Sequence, residues 1–152
     1  CHLFVEVDME IYEGKLNVNE ILTRWYNEFK NRNCGAFINF VGIVRAENNI
    51  SALSFDIYEP LLKNWLDNWQ EKAAKIDAFI KFAHSRGDVS VHESSFVCAI
   101  ISPKRKTALT LINDFVEDFK ANAPIWKYDV IDGKRIYAKD RSSAINGAGI
   151  LK

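Results

Sequence analysis

The order in which two kinds of apolar pattern follow each other is the feature that most constrains the fold of this chain. Apolar residues spaced three and four apart predict amphipathic helices that begin near positions 18, 60 and 103. Around these helices lie short segments in which apolar and polar side chains alternate, as they do in strands. Because strands joined by short turns pair antiparallel, this order predicts an α+β domain with a mostly antiparallel sheet.

Local patterns set the expected boundaries of these elements. Asn17 followed by Glu20 resembles a capping box, which opens a helix over 18–31. The segment Arg86-Gly87-Asp88 is typical of a turn, and Asp132-Gly133 is typical of a hairpin. Strands are predicted over 3–9, 36–44, 53–57, 79–84, 95–101, 128–131 and 135–137. The strand over 53–57 is predicted to be the return strand of the one over 36–44.

Composition limits the classes of protein to which the chain can belong. With 152 residues, 48% of them hydrophobic, we expect one domain over 1–141 and a tail over 142–152 that is flexible or ordered by a partner. The 20 basic and 20 acidic residues cancel, so no overall charge attracts nucleic acid or an acidic membrane. No apolar run approaches the roughly 20 residues of a membrane span. We therefore expect a cytoplasmic protein.

The cysteines and histidines lack the spacing of metal ligands. Cys1, Cys34 and Cys98 are expected to be structural thiols, because two of them lie beside apolar strands. His84, at the end of an apolar strand, is expected to be a hydrogen-bonded structural group. The sequence therefore predicts no metal site and no cofactor.

Pro124 determines how two lysines are placed relative to each other. Proline cannot continue a helix and holds Ala123 in an extended conformation, so a helix ends near Lys120 and the next element begins near Lys127. We expect the two amines to converge. Neighbouring ammonium groups lower each other's pKa, and an amine with a pKa nearer neutrality can transfer protons or bind an anion.

Cations also gather where the third helix begins. Lys104, Arg105 and Lys106 fall in its first turn, where the helix dipole already favours negative charge. With the free backbone N–H groups they predict a phosphate or carboxylate site, although three solvated side chains would give the same pattern. Arg45, at the end of an apolar strand, is either a surface residue or a further cation of such a site.

Four segments of the chain are informative when taken together: Gly35–Arg45, Tyr58–Pro60, Ser102–Arg105 and Lys120–Lys127. In this order and spacing they resemble the large, catalytic subunit of molybdopterin synthase, over about residues 3–140. The fold that this resemblance implies is an α/β-hammerhead-like single domain with three main helices and a C-terminal β-hairpin.

The resemblance implies a sulfurtransferase of molybdenum cofactor biosynthesis. Such an enzyme converts cyclic pyranopterin monophosphate to molybdopterin, and it takes two sulfurs from the C-terminal thiocarboxylate of a small ubiquitin-like subunit. The implied assembly is a homodimer of large subunits that carries a small subunit at each outer end, which gives a heterotetramer. Because the thiocarboxylate supplies the nucleophile, no cysteine is needed for catalysis.

The resemblance also implies roles for individual residues. Lys120 is expected to support the tetrahedral acyl intermediates and transfer protons, and Lys127 to hold the substrate and assist proton transfer. Arg45, Lys104 and Arg105 are expected to fix the phosphate, the last two from the other protomer. The implied substrate-binding residues are Ile43, Val44, Arg45, Lys104, Arg105, Lys120, Lys127, Tyr128 and Asp129, with Lys139 or Arg141 as further candidates.

Two other functions fit the same residues. One is a docking module for a ubiquitin-like partner without turnover of its own, which would bind the partner but form no product. The other is an unrelated phosphate-metabolite enzyme that uses the same cationic helix start. Lys104 also departs from the family, which commonly has His there, so a cation is kept but a group that titrates near neutrality is lost.

Overall fold

The computed structural model describes residues 2–5 and 9–137 of the chain. The described strands are β1 (His2–Val5), β2 (Met9–Glu13), β3 (Ala36–Ile43), β4 (Ala52–Ile57), β5 (Phe79–Ser90), β6 (Ser94–Ser102), β7 (Ile125–Ile131) and β8 (Lys134–Tyr137). The described helices are α1 (Val18–Phe29), α2 (Glu59–Ala74) and α3 (Arg105–Asn122). None of these helices is long and apolar enough to cross a membrane.

All eight described strands belong to one sheet. Its main path runs β1-β2-β5-β4-β7-β8, and β6 joins β5 to β3. Only the pair of β2 with β5 is parallel among the described strands. Asp132 and Gly133 connect β7 to β8 with φ angles of 51° and 75°, as a tight hairpin turn requires. The predicted α+β class, mostly antiparallel sheet, three helices and C-terminal hairpin are confirmed.

Helices cover both faces of the central strands, and β6 is therefore buried along its whole length. Helix α1 begins at the predicted cap, where the Glu20 backbone N–H donates to Asn17 Oδ1 at 3.2 Å. It packs its apolar stripe against one face of the sheet through Ile21, Trp25 and Phe29. Helices α2 and α3 pack on the opposite face through Leu62, Leu66, Trp69, Ala73, Ala108, Leu111, Phe115 and Phe119.

One predicted strand and one predicted strand pairing are wrong. The segment 3–9 is not one strand, because β1 and β2 pair antiparallel with each other and residues 6–8, between them, lie outside the described residues. Strand β4 does not return along β3: β3 pairs with β6, whereas β4 pairs with β5 and β7. Alternating side chains indicate which face of a strand is buried, but they do not identify the neighbouring strand.

The predicted turn at 86–88 is also wrong, because β5 continues through it to Ser90. Gly87 has a φ of 81°, a conformation that favours glycine, and a Cβ there would lie 2.7 Å from a carboxylate oxygen of Glu13. At this point β5 changes partners from β2 and β6 to β4. The glycine therefore marks a change of partner within a strand rather than its end.

A buried carboxylate connects β2 to α1. The Glu10 side chain accepts hydrogen bonds from both terminal nitrogens of Arg24, at 2.9 and 2.8 Å, and from Trp25 Nε1 at 2.9 Å. The Tyr12 hydroxyl donates to it as well. Burial alone would raise the pKa of Glu10, but the hydrogen bonds from Arg24, Tyr12 and Trp25 lower it to about 2.

The variant Glu10→Gln is expected to lower the free energy of unfolding by about 2 kcal/mol near neutral pH, the scale of a charge-assisted hydrogen bond with a partner that is partly exposed. The folded pKa lies below the unfolded value of 4.5, so this stabilisation is present above pH 4.5 and is lost as the pH falls towards 2. Urea unfolding at several pH values measures the difference.

Glu20→Gln is the matched control, because Glu20 is an exposed partner of the same Arg24, at 2.9 Å. Its removal should cost at most about 0.5 kcal/mol, as expected for a surface ion pair. Equal losses in the two variants would contradict the special role of the buried carboxylate.

Some predictions fall on residues that the structure does not describe. Lys139 and Arg141 lie outside the described residues, and so does the tail over 142–152. The division into a domain over 1–141 and a tail therefore stays a prediction.

Candidate functional site

The candidate site lies where helix α3 ends and strand β7 begins. Helix α3 ends at Asn122, and Ala123 follows in extended conformation with φ of −65° and ψ of 135°. Strand β7 then begins after Pro124, as the sequence predicts. This change of direction lets Lys120, in the last turn of the helix, and Lys127, in the strand, line the same cavity.

Two tryptophans hold the last turn of α3 in place. Trp65 Nε1 and Trp69 Nε1, one turn apart on α2, donate to the same carboxylate oxygen of Asp118 at 2.8 and 2.7 Å. Burial raises the pKa of Asp118, but the hydrogen bonds from Asn122 and the two indoles outweigh it, and the pKa is lowered. The ionised carboxylate thus fixes the helix end that carries Lys120.

The cavity has two sections that meet at the two lysines. The inner section holds about 590 Å³ of empty space, which includes its open mouth. Its wall is mostly aromatic and aliphatic and is formed by Gly42, Ile43, Val44, Leu53, Phe55, His84, Ser95, Phe96, Phe119, Ala123 and Ile125. The outer section is lined by Ile43, Arg45, Glu47, Ile50 and Leu53. Lys120 and Lys127 belong to both sections, so an anionic group and an apolar group could be held side by side.

Arg45 adds a third cation to the outer section. Its side chain is 81% exposed, and one terminal nitrogen lies 3.1 Å from a carboxylate oxygen of Glu47. Although the Lys120 side chain as a whole is exposed, its pKa is lowered, first by burial of its ammonium and then by the charge of Arg45. The cause differs from the predicted one, which was the proximity of Lys127.

The end of β3 supplies two more of the predicted residues. Ile43 is 60% exposed and lines both sections, whereas Val44 is buried and lines the inner one. The backbone of Val44 is fixed by two hydrogen bonds, from its N–H to Glu93 O at 2.9 Å and from the His92 N–H to its carbonyl at 2.7 Å. Ile43, Val44 and Arg45 therefore line the same cavity as Lys120 and Lys127, and their role in substrate binding stays a prediction.

Tyr128 and Asp129 do not line the cavity within the described part of the chain. Side chains alternate along a strand, so Tyr128 points to the face opposite Lys127. There the guanidinium of Arg135 lies 3.9 Å from the centre of the Tyr128 ring, and the Tyr137 ring lies 5.9 Å away. Asp129 shares the face of Lys127 but lies two residues further along β7, where it pairs with Leu53 and Ile136.

Lys104 and Arg105 lie at the other end of α3 and are exposed. A helix rises 1.5 Å per residue, so Arg105 is about 22 Å from Lys120 along the axis. A single chain does not bring these two cations into the cavity.

Sequence reasoning missed the aromatic part of the inner section. Phe55, Phe96 and Phe119 come from three different elements, and nothing in their spacing indicates that they meet. His84 was expected to be a hydrogen-bonded structural group, and its Nδ1 does lie 2.8 Å from the Ser85 carbonyl oxygen. It also lines the cavity, which its position in the sequence did not indicate.

The described cysteines are not in the cavity lining. Cys34 and Cys98 are free thiols, and burial raises the pKa of Cys98 to about 12, so this thiol stays protonated. Cys1 lies outside the described residues. Among the described residues, no three His, Cys, Asp or Glu side chains are grouped to hold a metal ion.

Comparison with known proteins bears on which reaction such a site serves. Residues 11–122 match the family described as MoaE protein. A molybdopterin synthase catalytic subunit of Helicobacter pylori (strain 26695) is 52% identical over 143 residues, covering 94% of this chain and 99% of that protein. One from Dictyostelium discoideum is 27% identical and covers 82% of this chain and 78% of that protein.

Solved structures agree with the sequence relatives. A chain in the protein-protein complex of subunits 1 and 2 of molybdopterin-converting factor from Helicobacter pylori 26695 superposes with a TM-score of 0.89 at 52% identity. The match covers 93% of this chain and 97% of that one. Molybdopterin synthase from Staphylococcus aureus, at 22% identity and a TM-score of 0.71 over 84% of this chain and 93% of that one, shares the fold. The chain therefore belongs to the MoaE family, that of the molybdopterin synthase catalytic subunits.

Proposed function

We propose that this chain is the sulfurtransferase subunit of a molybdopterin synthase, which converts cyclic pyranopterin monophosphate to molybdopterin. Each of the two sulfurs comes from the C-terminal thiocarboxylate of one small ubiquitin-like subunit, so one pterin consumes two thiocarboxylates and leaves two carboxylates. The observation that carries the proposal is the meeting of Lys120, Lys127 and Arg45 at one cavity with an apolar inner end. Membership of the MoaE family identifies the reaction that this geometry would serve.

Each cation would have a role that depends on its position in the cavity. Arg45 and Lys127 would hold the substrate phosphate in the outer section, where solvent can still reach it. Lys120 would support the negative charge that develops when the acyl carbon of the thiocarboxylate becomes tetrahedral. Lys127 would also donate protons as the ring oxygens leave, since its amine lies at the junction of both sections.

The partner follows from the same reasoning. The Helicobacter pylori relative was solved as a complex of two subunits of molybdopterin-converting factor. By analogy, the small subunit of this synthase would place its C-terminal tail in the cavity, beside Lys120. A homodimer of large subunits with one small subunit at each outer end would give a heterotetramer.

Product analysis tests the proposed function directly. The purified chain is incubated with a thiocarboxylated small subunit and cyclic pyranopterin monophosphate, and mass spectrometry follows the gain of two sulfurs by the pterin. Product formation is expected. Tight binding of the small subunit without product would favour a docking module instead, and turnover of a different phosphate metabolite would favour an unrelated enzyme.

Lys104 and Arg105 would complete the site from the second protomer, because they lie about 22 Å from Lys120 in their own chain. Mixing two impaired variants should then restore activity. One variant carries Lys120→Ala and the other carries Lys104→Glu with Arg105→Glu. Each site would take Lys120 from one protomer and Lys104 with Arg105 from the other. In a mixed dimer, one site therefore contains all three substitutions, and the other contains only wild-type residues.

If protomers exchange at random, half of the dimers are mixed, so about a quarter of wild-type turnover is expected to return. The measurement is turnover before and after the two dimers are dissociated and reassociated together. Each variant reassociated alone serves as the control. No recovery in the mixture would show that each site is built from a single chain.

A further inference from the structure

The inner section contains one imidazole among hydrophobic side chains. His84 is 2% exposed and lies on β5, opposite Phe96 of β6. Its ring meets the Phe55 ring edge to face, with centroids 4.9 Å apart, and lies 5.7 Å from the Phe119 ring. These contacts hold the ring in one orientation at the cavity wall.

The hydrogen bonding of this ring fixes its tautomer. Nδ1 lies 2.8 Å from the Ser85 carbonyl oxygen, and a carbonyl oxygen can only accept, so Nδ1 carries the proton. Nε2 is then an unprotonated acceptor. Within the described part of the chain, the ring has no second hydrogen-bond partner. Burying an acceptor in such a wall costs free energy unless it is hydrogen-bonded, so a donor on a bound molecule would offset this cost.

The ring is also neutral at physiological pH. Burial lowers the pKa of His84 to about 4, and the nearby charge of Lys120 acts in the same direction. The two sections therefore attract different chemistry. Arg45, Lys120 and Lys127 suit an anion, whereas the inner wall suits a flat, uncharged ring that carries an N–H group.

We propose that His84 is a substrate-binding residue, whose Nε2 accepts a hydrogen bond from an N–H group of the pterin ring while the cations of the outer section hold the phosphate. The inference rests on the proposed function, because it takes its substrate from there. It assigns one residue to the heterocycle and separates recognition of the ring from recognition of the phosphate.

Three substitutions of His84 separate its two nitrogens. His84→Phe keeps the aromatic volume and removes both, His84→Asn keeps a donor near Nδ1, and His84→Gln places an amide oxygen near Nε2. Calorimetric titration of each full-length variant with cyclic pyranopterin monophosphate, without the small subunit, measures the dissociation constant. We expect about three- to tenfold weaker binding for the Phe and Asn variants, the effect of one neutral hydrogen bond, and near wild-type binding for the Gln variant.

Two controls distinguish substrate binding from a structural role. Phe82 packs against His84 with ring centroids 6.3 Å apart but does not line the cavity. The variant Phe82→Leu should therefore lower the unfolding temperature without changing the affinity for the pterin. Inorganic phosphate should bind wild type and His84→Phe equally, because it engages only the outer cations. In wild-type protein labelled with ¹⁵N-histidine, the Nε2 resonance of His84 should shift when the pterin is added.

The inference is overturned if His84→Phe binds the pterin as tightly as wild type does, or if Phe82→Leu weakens binding by the same factor. It is also overturned if the Nε2 resonance does not move on addition of saturating pterin, a result that does not depend on any variant folding. Absence of product from the wild-type synthase overturns the proposed function instead, so the two failures are distinguishable.

Discussion

Replacing Lys120 by alanine is expected to abolish product formation, with turnover falling by about 10²–10⁴-fold, the usual contribution of a positioned acid-base or oxyanion-stabilising group. Lys120 stands where both sections of the cavity meet, and its helix turn is fixed by the contacts of Asp118 with two indoles. No other ammonium group is held at that point of the described cavity except Lys127, which extends from a different element.

Single-turnover experiments with thiocarboxylated small subunit measure this loss, and thermal unfolding checks that the fold is intact. The matched control is Lys75→Ala, which removes an exposed lysine at the end of α2, away from the cavity lining. It should leave turnover unchanged. Wild-type turnover in the Lys120→Ala variant would exclude the mechanism proposed here.

The pH dependence should follow the lowered pKa of Lys120, which burial and Arg45 produce. If the ammonium form is active, turnover declines as the pH rises through that value, at lower pH than for a solvated lysine. Lys120→Arg keeps its charge throughout this range, so any activity that it retains should lack the decline. An identical alkaline limb in this variant would assign the titration to another group.

Replacing Lys127 by alanine is expected to leave only a trace of activity, with kcat/KM reduced by about 10²-fold or more, since it removes both a phosphate contact and a proton donor. The backbone at Lys127 is held because it pairs with Phe55 of β4, and from Tyr128 onwards β7 also pairs with β8. Its side chain points into the cavity, whereas that of its neighbour Tyr128 points away.

Steady-state kinetics on Lys127→Arg can separate the two roles. Arginine preserves the charge, so KM for the pterin should stay near the wild-type value, but kcat should stay low because a guanidinium does not release a proton near neutral pH. Lys134→Ala, which removes an exposed lysine of the adjoining β8, is the control and should have no effect. Full recovery of kcat in Lys127→Arg would limit the residue to holding the substrate.

Local rules predicted the elements well because their causes are local. The capping contact of Asn17 with Glu20 and the extended Ala123 before Pro124 depend on neighbours within a few residues. The same holds for the hairpin at Asp132 and Gly133, where both residues need positive φ. The pairing of β3 and β4 was mispredicted because partner choice depends on residues far away in the chain.

Some residues of the candidate site could likewise be identified from local sequence, and others could not. Lys120 and Lys127 could be selected from the sequence, since the proline break places them predictably, whereas Arg45 was left between a surface residue and a site cation and was assigned to the site by resemblance. The wall of the inner section could not, because Phe55, His84 and Phe96 come from strands whose neighbours are set by the sheet. The sequence also placed Tyr128 in the site by resemblance, and strand alternation turns it to the other face.

The sequence by itself determined the order of elements from α1 onwards, the break at Pro124 and the cations on either side of it, because each follows from conformational preferences within a few residues. The tertiary structure decided that these cations lie beside an aromatic recess containing a neutral imidazole. That outcome required β4, β5, β6 and α3 to pack together. Local sequence patterns do not predict contacts between residues that are far apart in the chain.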